Sequence, residues 1–226
     1  MAASLRRDIT SLRFEPGEGI SDKDIAHELG TSRTPVREAL ILLEEEGLIE
    51  VYPRVGTFVT LVDLQRIRDA QFLREAVETS SALDFPDSSP AISTLRSLLG
   101  RQTQAAEDSD AEGFFELDET FHRTLLEQAG HGAAWKTVNA AKAHLDRARR
   151  LTMERSTSLL DLVAQHSAVV DALESGERSA AADQLRGHLR VIYEDIHVVR
   201  RQRPELFSDL ADRRGGQRIT KRLQAP

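Results

Sequence analysis

The stretch that decides the fold runs Glu28-Leu29-Gly30-Thr31-Ser32-Arg33-Thr34-Pro35-Val36-Arg37-Glu38-Ala39-Leu40. Gly30 and Thr31 separate two helical patterns. Ile25, Ala26 and Leu29 form an apolar face before the glycine, and Val36, Ala39, Leu40 and Leu43 form another after it. Ser21 is the expected N-cap of the first helix, with Asp22 and Asp24 in its opening turn. Ser32 is the expected cap of the second helix, and Pro35 falls in the first turn, where proline is tolerated. Arg33, Thr34 and Arg37 occupy the opposite, polar side. Two short helices joined by a tight turn, the second opening with basic and hydroxyl side chains, can set a recognition helix in the major groove.

Upstream, Leu5, Ile9 and Leu12 repeat at helical spacing until Phe14-Glu15-Pro16-Gly17 turns the chain. Downstream, Leu48–Tyr52 and Thr57–Thr60 read as strands joined by Pro53-Arg54-Val55-Gly56, which makes a wing. The DNA-binding candidates are therefore Lys23, Ser32, Arg33, Thr34, Pro35 and Arg37, with Arg54 and Gly56 at the wing tip. Residues 1–60 carry seven basic and eleven acidic side chains, so the attraction to DNA must come from a local patch, doubled if two copies meet a palindrome.

The whole chain has 226 residues, a length that suits two modules. With 37 acidic against 30 basic side chains, its net charge of −7 does not advertise nucleic-acid binding. It has no cysteine, which excludes disulfides, zinc–thiolate sites and a thiol nucleophile. No apolar run is long enough to span a membrane, and Met1–Arg13 lacks the core of a signal peptide; a cytoplasmic address is the expectation.

Beyond residue 63 the pattern is helix after helix: Gln65–Leu83, Ile92–Glu107, Glu112–Gly130, Ala134–Met153, Ser158–Glu174 and Ser179–Val199, with Asp84–Pro90 as a loop. The expected fold is mainly α. A winged helix-turn-helix of three helices and a β-hairpin (1–62) precedes an antiparallel all-α bundle (63–199) and a basic, flexible tail (200–226).

Asp118 and His122 stand four apart on one helix and share a face. His166 lies between Leu162-Val163 and Val169-Val170, and His188 between Leu185 and Leu189, so both are expected to face inward. One carboxylate and three imidazoles converging in a bundle would suit Zn²⁺ or Ni²⁺. Taken alone, the same residues also fit a hydrogen-bonded polar core. His144 is open between pocket and surface, and Arg147, Arg149 and Arg150 read as a solvated charged face.

Residues 28–40, the following Leu43–Ile49 and the Gly56-Thr57-Phe58-Val59 strand resemble the GntR-type winged helix. Asp118–Leu126, Gln165–Leu173 and Leu185–Leu189 resemble the FCD effector domain of FadR-type GntR regulators. The resemblance implies a homodimeric repressor on a palindromic double-stranded operator, controlled by a small carboxylate effector. It implies Asp118, His122, His166 and His188 as ligands of a divalent transition metal, Zn²⁺ first and Ni²⁺ second. It also implies Arg74 as an arginine reaching into the pocket, the alternative being a plain surface pair with Glu78. The other functions weighed are a metal-dependent hydrolase and a regulator whose metal is purely structural.

Overall fold

A computed structural model describes residues 1–87, 89–153 and 158–208. The chain opens with α1 (Ala2–Thr10), β1 (Gly19–Ile20), α2 (Asp22–Glu28), α3 (Arg33–Glu45), β2 (Ile49–Tyr52) and β3 (Gly56–Val59). Leu5 and Ile9 of α1, Ile25 and Ala26 of α2, and Val36, Ala39, Leu40 and Leu43 of α3 close on one core with Leu48, Ile49 and Val59. The apolar faces seen in the sequence are thus the faces that pack. Ser21 caps α2 by accepting the Asp24 N–H at 3.2 Å. Ser32 makes no such bond. Pro35 occupies the third helical position and so removes one of the two N–H donors that a capping hydroxyl takes.

β2 and β3 form the wing, in the register Ile49↔Val59 to Tyr52↔Gly56. β1 adds a third antiparallel strand, Gly19↔Phe58 and Ile20↔Thr57, which two residues are too short to announce by alternation. At the wing tip Arg54 adopts φ +66 and Gly56 φ +149. The second value lies in a region that is essentially glycine's own.

The helical part consists of α4 (Leu64–Leu83), α5 (Ser89–Glu107), α6 (Ala111–Gln128), α7 (Ala134–Ala141), α8 (Ala143–Met153), α9 (Leu159–Glu174) and α10 (Arg178–Gln202). The long helix expected over Ala134–Met153 is two, broken at Lys142. That side chain is buried against Glu119 and Asp146, and the break lets Ala143 pack into the winged-helix core. The main bundle core gathers Leu95 and Leu99, Phe121 and Leu125, Val169 and Val170, and Leu185 and Leu189 from α5, α6, α9 and α10.

The tail expected to be flexible from residue 200 is structured to Ser208. α10 extends to Gln202, a 3₁₀ turn follows at Pro204–Leu206, and β5 (Phe207–Ser208) pairs in parallel with β4 (Val62–Asp63). Leu206 and Phe207 are buried with Val62, Ile67, Leu145 and Val199. Full burial of such side chains contributes about 1.5–3 kcal/mol each, which offsets the ordering of this short segment. The remaining basic residues of the tail, Arg213 to Arg222, lie outside the described residues.

Candidate metal centre and DNA-facing surface

Three helices bring the four candidate ligands together: α6 carries Asp118 and His122, α9 His166, and α10 His188. All four are buried, and one donor atom from each lies within 4.8 Å of the others. The Nε2 atoms of His166 and His188 are 3.0 Å apart, and those of His188 and His122 3.3 Å. Asp118 offers Oδ1 to His166 Nε2 and Oδ2 to His122 Nε2, each at 3.6 Å.

The far side of each ring explains this crowding. His122 Nδ1 meets Glu78 Oε2 at 2.6 Å, His166 Nδ1 meets Gln102 Oε1 at 2.9 Å, and His188 Nδ1 meets Gln165 Oε1 at 2.8 Å. Those oxygens are acceptors, so each hydrogen bond assigns the ring proton to Nδ1 and leaves Nε2 a bare lone pair. Three inward lone pairs at these separations repel one another without a proton or cation between them. Asp118 Oδ1, also buried, has no hydrogen-bond partner among the described residues. Such a donor set, with every ring oriented by an outer acceptor, fits a transition-metal ion.

The electrostatics agree. Burial disfavours the imidazolium form, pushing His166 down to about 3 and His188 well below its ordinary value, with the neighbouring histidines adding to the effect. Burial works against the Asp118 carboxylate, but Arg149 and then His122 more than offset it and hold the group well below its ordinary value. Glu78 is lowered to about 2 because Arg74 and His122 overcome its desolvation.

Arg74 pairs with Glu78 at 2.7 Å, one turn away on α4, yet neither side chain is at the surface. The surface pair considered from sequence is therefore a buried one. Arg74 Nη2 has no partner among the described residues. A cavity of about 30 Å³ lies beside it, lined also by Gln71, Arg149, Thr152 and His188.

The helical pattern alone puts Arg149 on a solvated face with Arg147 and Arg150, and the structure corrects this. Arg149 is buried, bonded through Nη2 to Asp118 and through Nη1 to Glu119 at 2.8 Å. Its charge is stabilised: burial disfavours it, but Asp118 and Glu119 outweigh burial and raise its pKa. Arg147 is buried too, donating from Nη1 to the Thr60 carbonyl at 2.7 Å. Burial and nearby Arg66 lower it to about 9. Arg150 is half-buried, pairing with Glu112 and donating to the Thr10 carbonyl at 3.1 Å. His144, left open between pocket and surface, accepts the Asp63 N–H on Nδ1 at 3.0 Å. One face of α8 thus meets the candidate metal centre, while its other bonds hold the winged helix. Glu78, Gln102 and Gln165 were also missed; the only sequence signals were the i,i+4 partnership of Glu78 with Arg74 and the position of Gln165 beside His166.

On the winged helix, Lys23, Ser32, Arg33, Thr34, Arg37, Arg54 and Gly56 are exposed and Pro35 is half-buried. Arg33 and Arg37 project from the start of α3, and Arg54 and Gly56 form the hairpin tip.

A winged helix joined to a helical bundle with a buried His₃Asp cluster defines a class: DNA-binding transcription regulators with a C-terminal helical domain. The family model "Bacterial regulatory proteins, gntR family" matches residues 1–59, and the model "FCD domain" matches residues 69–191. The chain belongs to the GntR family of transcriptional regulators and carries an FCD domain. It is 47% identical over 206 residues, 90% of this chain and 86% of the relative, to an HTH-type transcriptional regulator in an unstable DNA locus of Streptomyces ambofaciens. It is 32% identical to the HTH-type transcriptional repressor RspR of Escherichia coli, covering 91% of each chain. The structure of E. coli McbR/YncC has the same fold, with a TM-score of 0.73 at 20% identity over 89% of this chain and 95% of that one. The family model and the two sequence relatives are of transcriptional regulators, so this chain is a DNA-binding transcriptional regulator rather than the hydrolase weighed from sequence. No helix among the described residues is long and apolar enough to cross a membrane.

Proposed function

We propose that the protein is a homodimeric repressor whose grip on a palindromic operator is set by a small carboxylate effector bound at a divalent metal. Asp118, His122, His166 and His188 hold the metal, Zn²⁺ or Ni²⁺ by ligand chemistry. Arg33 and Arg37, supported by Lys23, Ser32, Thr34 and Pro35, read the major groove, and Arg54 and Gly56 meet the adjacent backbone. Residues 1–62 act as the reader, and the bundle from residue 63 acts as sensor and dimer partner. The observation that carries the reading is the convergence of three bare Nε2 atoms on an unpartnered Asp118 oxygen, each ring fixed from behind.

When bound, the metal supplies positive charge and open coordination positions for an acid's oxygens. Arg74, with its unpartnered Nη2 beside the cavity, supplies a guanidinium for a second carboxylate or a hydroxyl. Arg149 shares Asp118 with the metal, so its bonds report the state of the site. Because Arg149 and Arg147 lie on the same helix, a shift of α8 at Asp118 is felt at Thr60, the residue that follows the wing. Coupling needs only that the effector bind two arrangements unequally, typically by about 1–3 kcal/mol. RspR, a repressor by name, supports that sign of control.

The test is a thermal-shift screen of mono- and dicarboxylates and sugar acids on metal-loaded protein, followed by DNA-binding measurements with every hit. A hit that stabilises the protein and releases DNA supports the reading. Stabilisation by metal with no organic acid adding to it would leave a purely structural metal and refute the sensor.

A further inference from the structure

The two arginines at the start of α3 are not independent. Both reach back to one carboxylate on α2. Arg33 donates to Asp22 from Nε at 3.2 Å and from Nη2 at 2.8 and 3.0 Å, and Arg37 donates from Nε at 2.6 Å. Asp22 is the first residue of α2, where the helix dipole favours a negative charge. Its side chain is 20% exposed, whereas those of Arg33 and Arg37 are 54% and 61% exposed. Hydrogen bonds from Arg33 and then Arg37 hold the Asp22 carboxyl below its ordinary range.

A guanidinium has five donors in a rigid plane. With the Nε side engaged by Asp22, Arg33 Nη1 and both Nη atoms of Arg37 keep no protein partner among the described residues. In Arg37 the two Nη atoms are the donor pair that a guanine edge takes through O6 and N7, and in Arg33 Nη1 is left for one of those acceptors. Held from behind, the arginines lose freedom to swing onto phosphates, and one of their two charges is offset. Both effects act against indiscriminate backbone attraction, which scales with uncompensated cationic contacts. Exposed ion pairs add little to folding, about 0–1 kcal/mol, so stability gives weak reason for two arginines to share one acid.

We infer that Asp22 is a specificity-determining positioning residue: it aims Arg33 and Arg37 at guanine edges and suppresses binding to non-cognate DNA. The inference rests on the proposed role of α3 as the reader. The full-length protein is used to select a preferred duplex from a random pool. Affinities for that duplex and for a scrambled duplex of equal composition are then measured against salt for wild type, D22N, D22E, R33A and R37A. D22N is expected to melt within a few degrees of wild type and to bind the scrambled duplex about threefold more tightly, with a steeper salt dependence from the released cation. Its selected-to-scrambled affinity ratio falls about tenfold, and the loss concentrates at guanine positions. D22E restores most of that ratio. An unchanged ratio in D22N, or equal weakening on both duplexes, overturns the inference while leaving the reader in place. If R33A and R37A bind both duplexes like wild type, or if no duplex is enriched, the assignment of α3 itself fails.

Discussion

Replacing Arg149 with methionine separates the empty and metal-bound states of the site. Methionine keeps much of the volume packed near the Phe115 ring, which Arg149 covers at 5.2 Å. It removes the cation that, among the described residues, is hydrogen-bonded to Asp118, whose side chain is fully buried while that of Arg149 is 8% exposed. Breaking a buried pair by deleting one partner costs about 3–5 kcal/mol, because the remaining charge stays desolvated and uncompensated. For a chain of this size each kcal/mol moves the melting temperature by about 2–4 °C, so Arg149→Met in the presence of chelator should melt about 10 °C below wild type. A metal ion gives Asp118 a new cationic partner and no longer faces a competing guanidinium. If it recovers about 2 kcal/mol of the loss, linkage makes metal binding about thirtyfold tighter in the variant. Differential scanning calorimetry with EDTA and then with excess Zn²⁺ reads both numbers. A variant that melts with wild type in EDTA, or gains no more than wild type from metal, would refute the reasoning.

Arg33→Ala and Arg37→Ala should each weaken binding to a selected duplex by about 1–3 kcal/mol, roughly five- to 150-fold, with metal content unchanged; unaltered anisotropy titrations would remove them from the reader. Gly47 sits at φ +72, and a Cβ there would collide with the Arg66 guanidinium that bonds the Glu46 carbonyl at 2.7 Å. Gly47→Ala should therefore cost about 1–2 kcal/mol, visible as a melting temperature lower by several degrees. Arg147→Met leaves the Thr60 carbonyl without its charged donor and should cost about 1.5–3 kcal/mol. It should speed hydrogen exchange around residues 60–63 and blunt the effector's influence on DNA while metal uptake persists; an intact response would show that coupling takes another route.

The parts of this fold that sequence made legible are those written in apolar spacing and turn chemistry. Val36, Ala39, Leu40 and Leu43 announced the buried face of α3, and Gly30 announced the turn before it. Asp118 and His122 were legible as a pair on one helix face, and His166 and His188 as donors among apolar neighbours, though the meeting of all four depends on helix packing that spacing does not encode. The break at Lys142 has no local signal, because Asn139-Ala140-Ala141-Lys142-Ala143 contains no proline or glycine; the side chain of Lys142 instead meets Glu119 on α6. Arg147 and Arg149 looked solvated for the same reason, since their partners Thr60 and Asp118 lie far away in sequence. The β4–β5 pair joins two-residue strands, Val62–Asp63 and Phe207–Ser208, that lie far apart in sequence and are too short for any periodic signal. Gln102 and Gln165 carry no charge pattern, and only the ring nitrogens they face give them a role.

The central claim is that Asp118, His122, His166 and His188 form a metal centre, and elemental analysis of purified protein beside His166→Ala tests it most directly. The account predicts about one transition-metal ion per wild-type chain and a much lower content in the variant. No bound metal in wild type after incubation with Zn²⁺ or Ni²⁺, or equal content in both proteins, would contradict it.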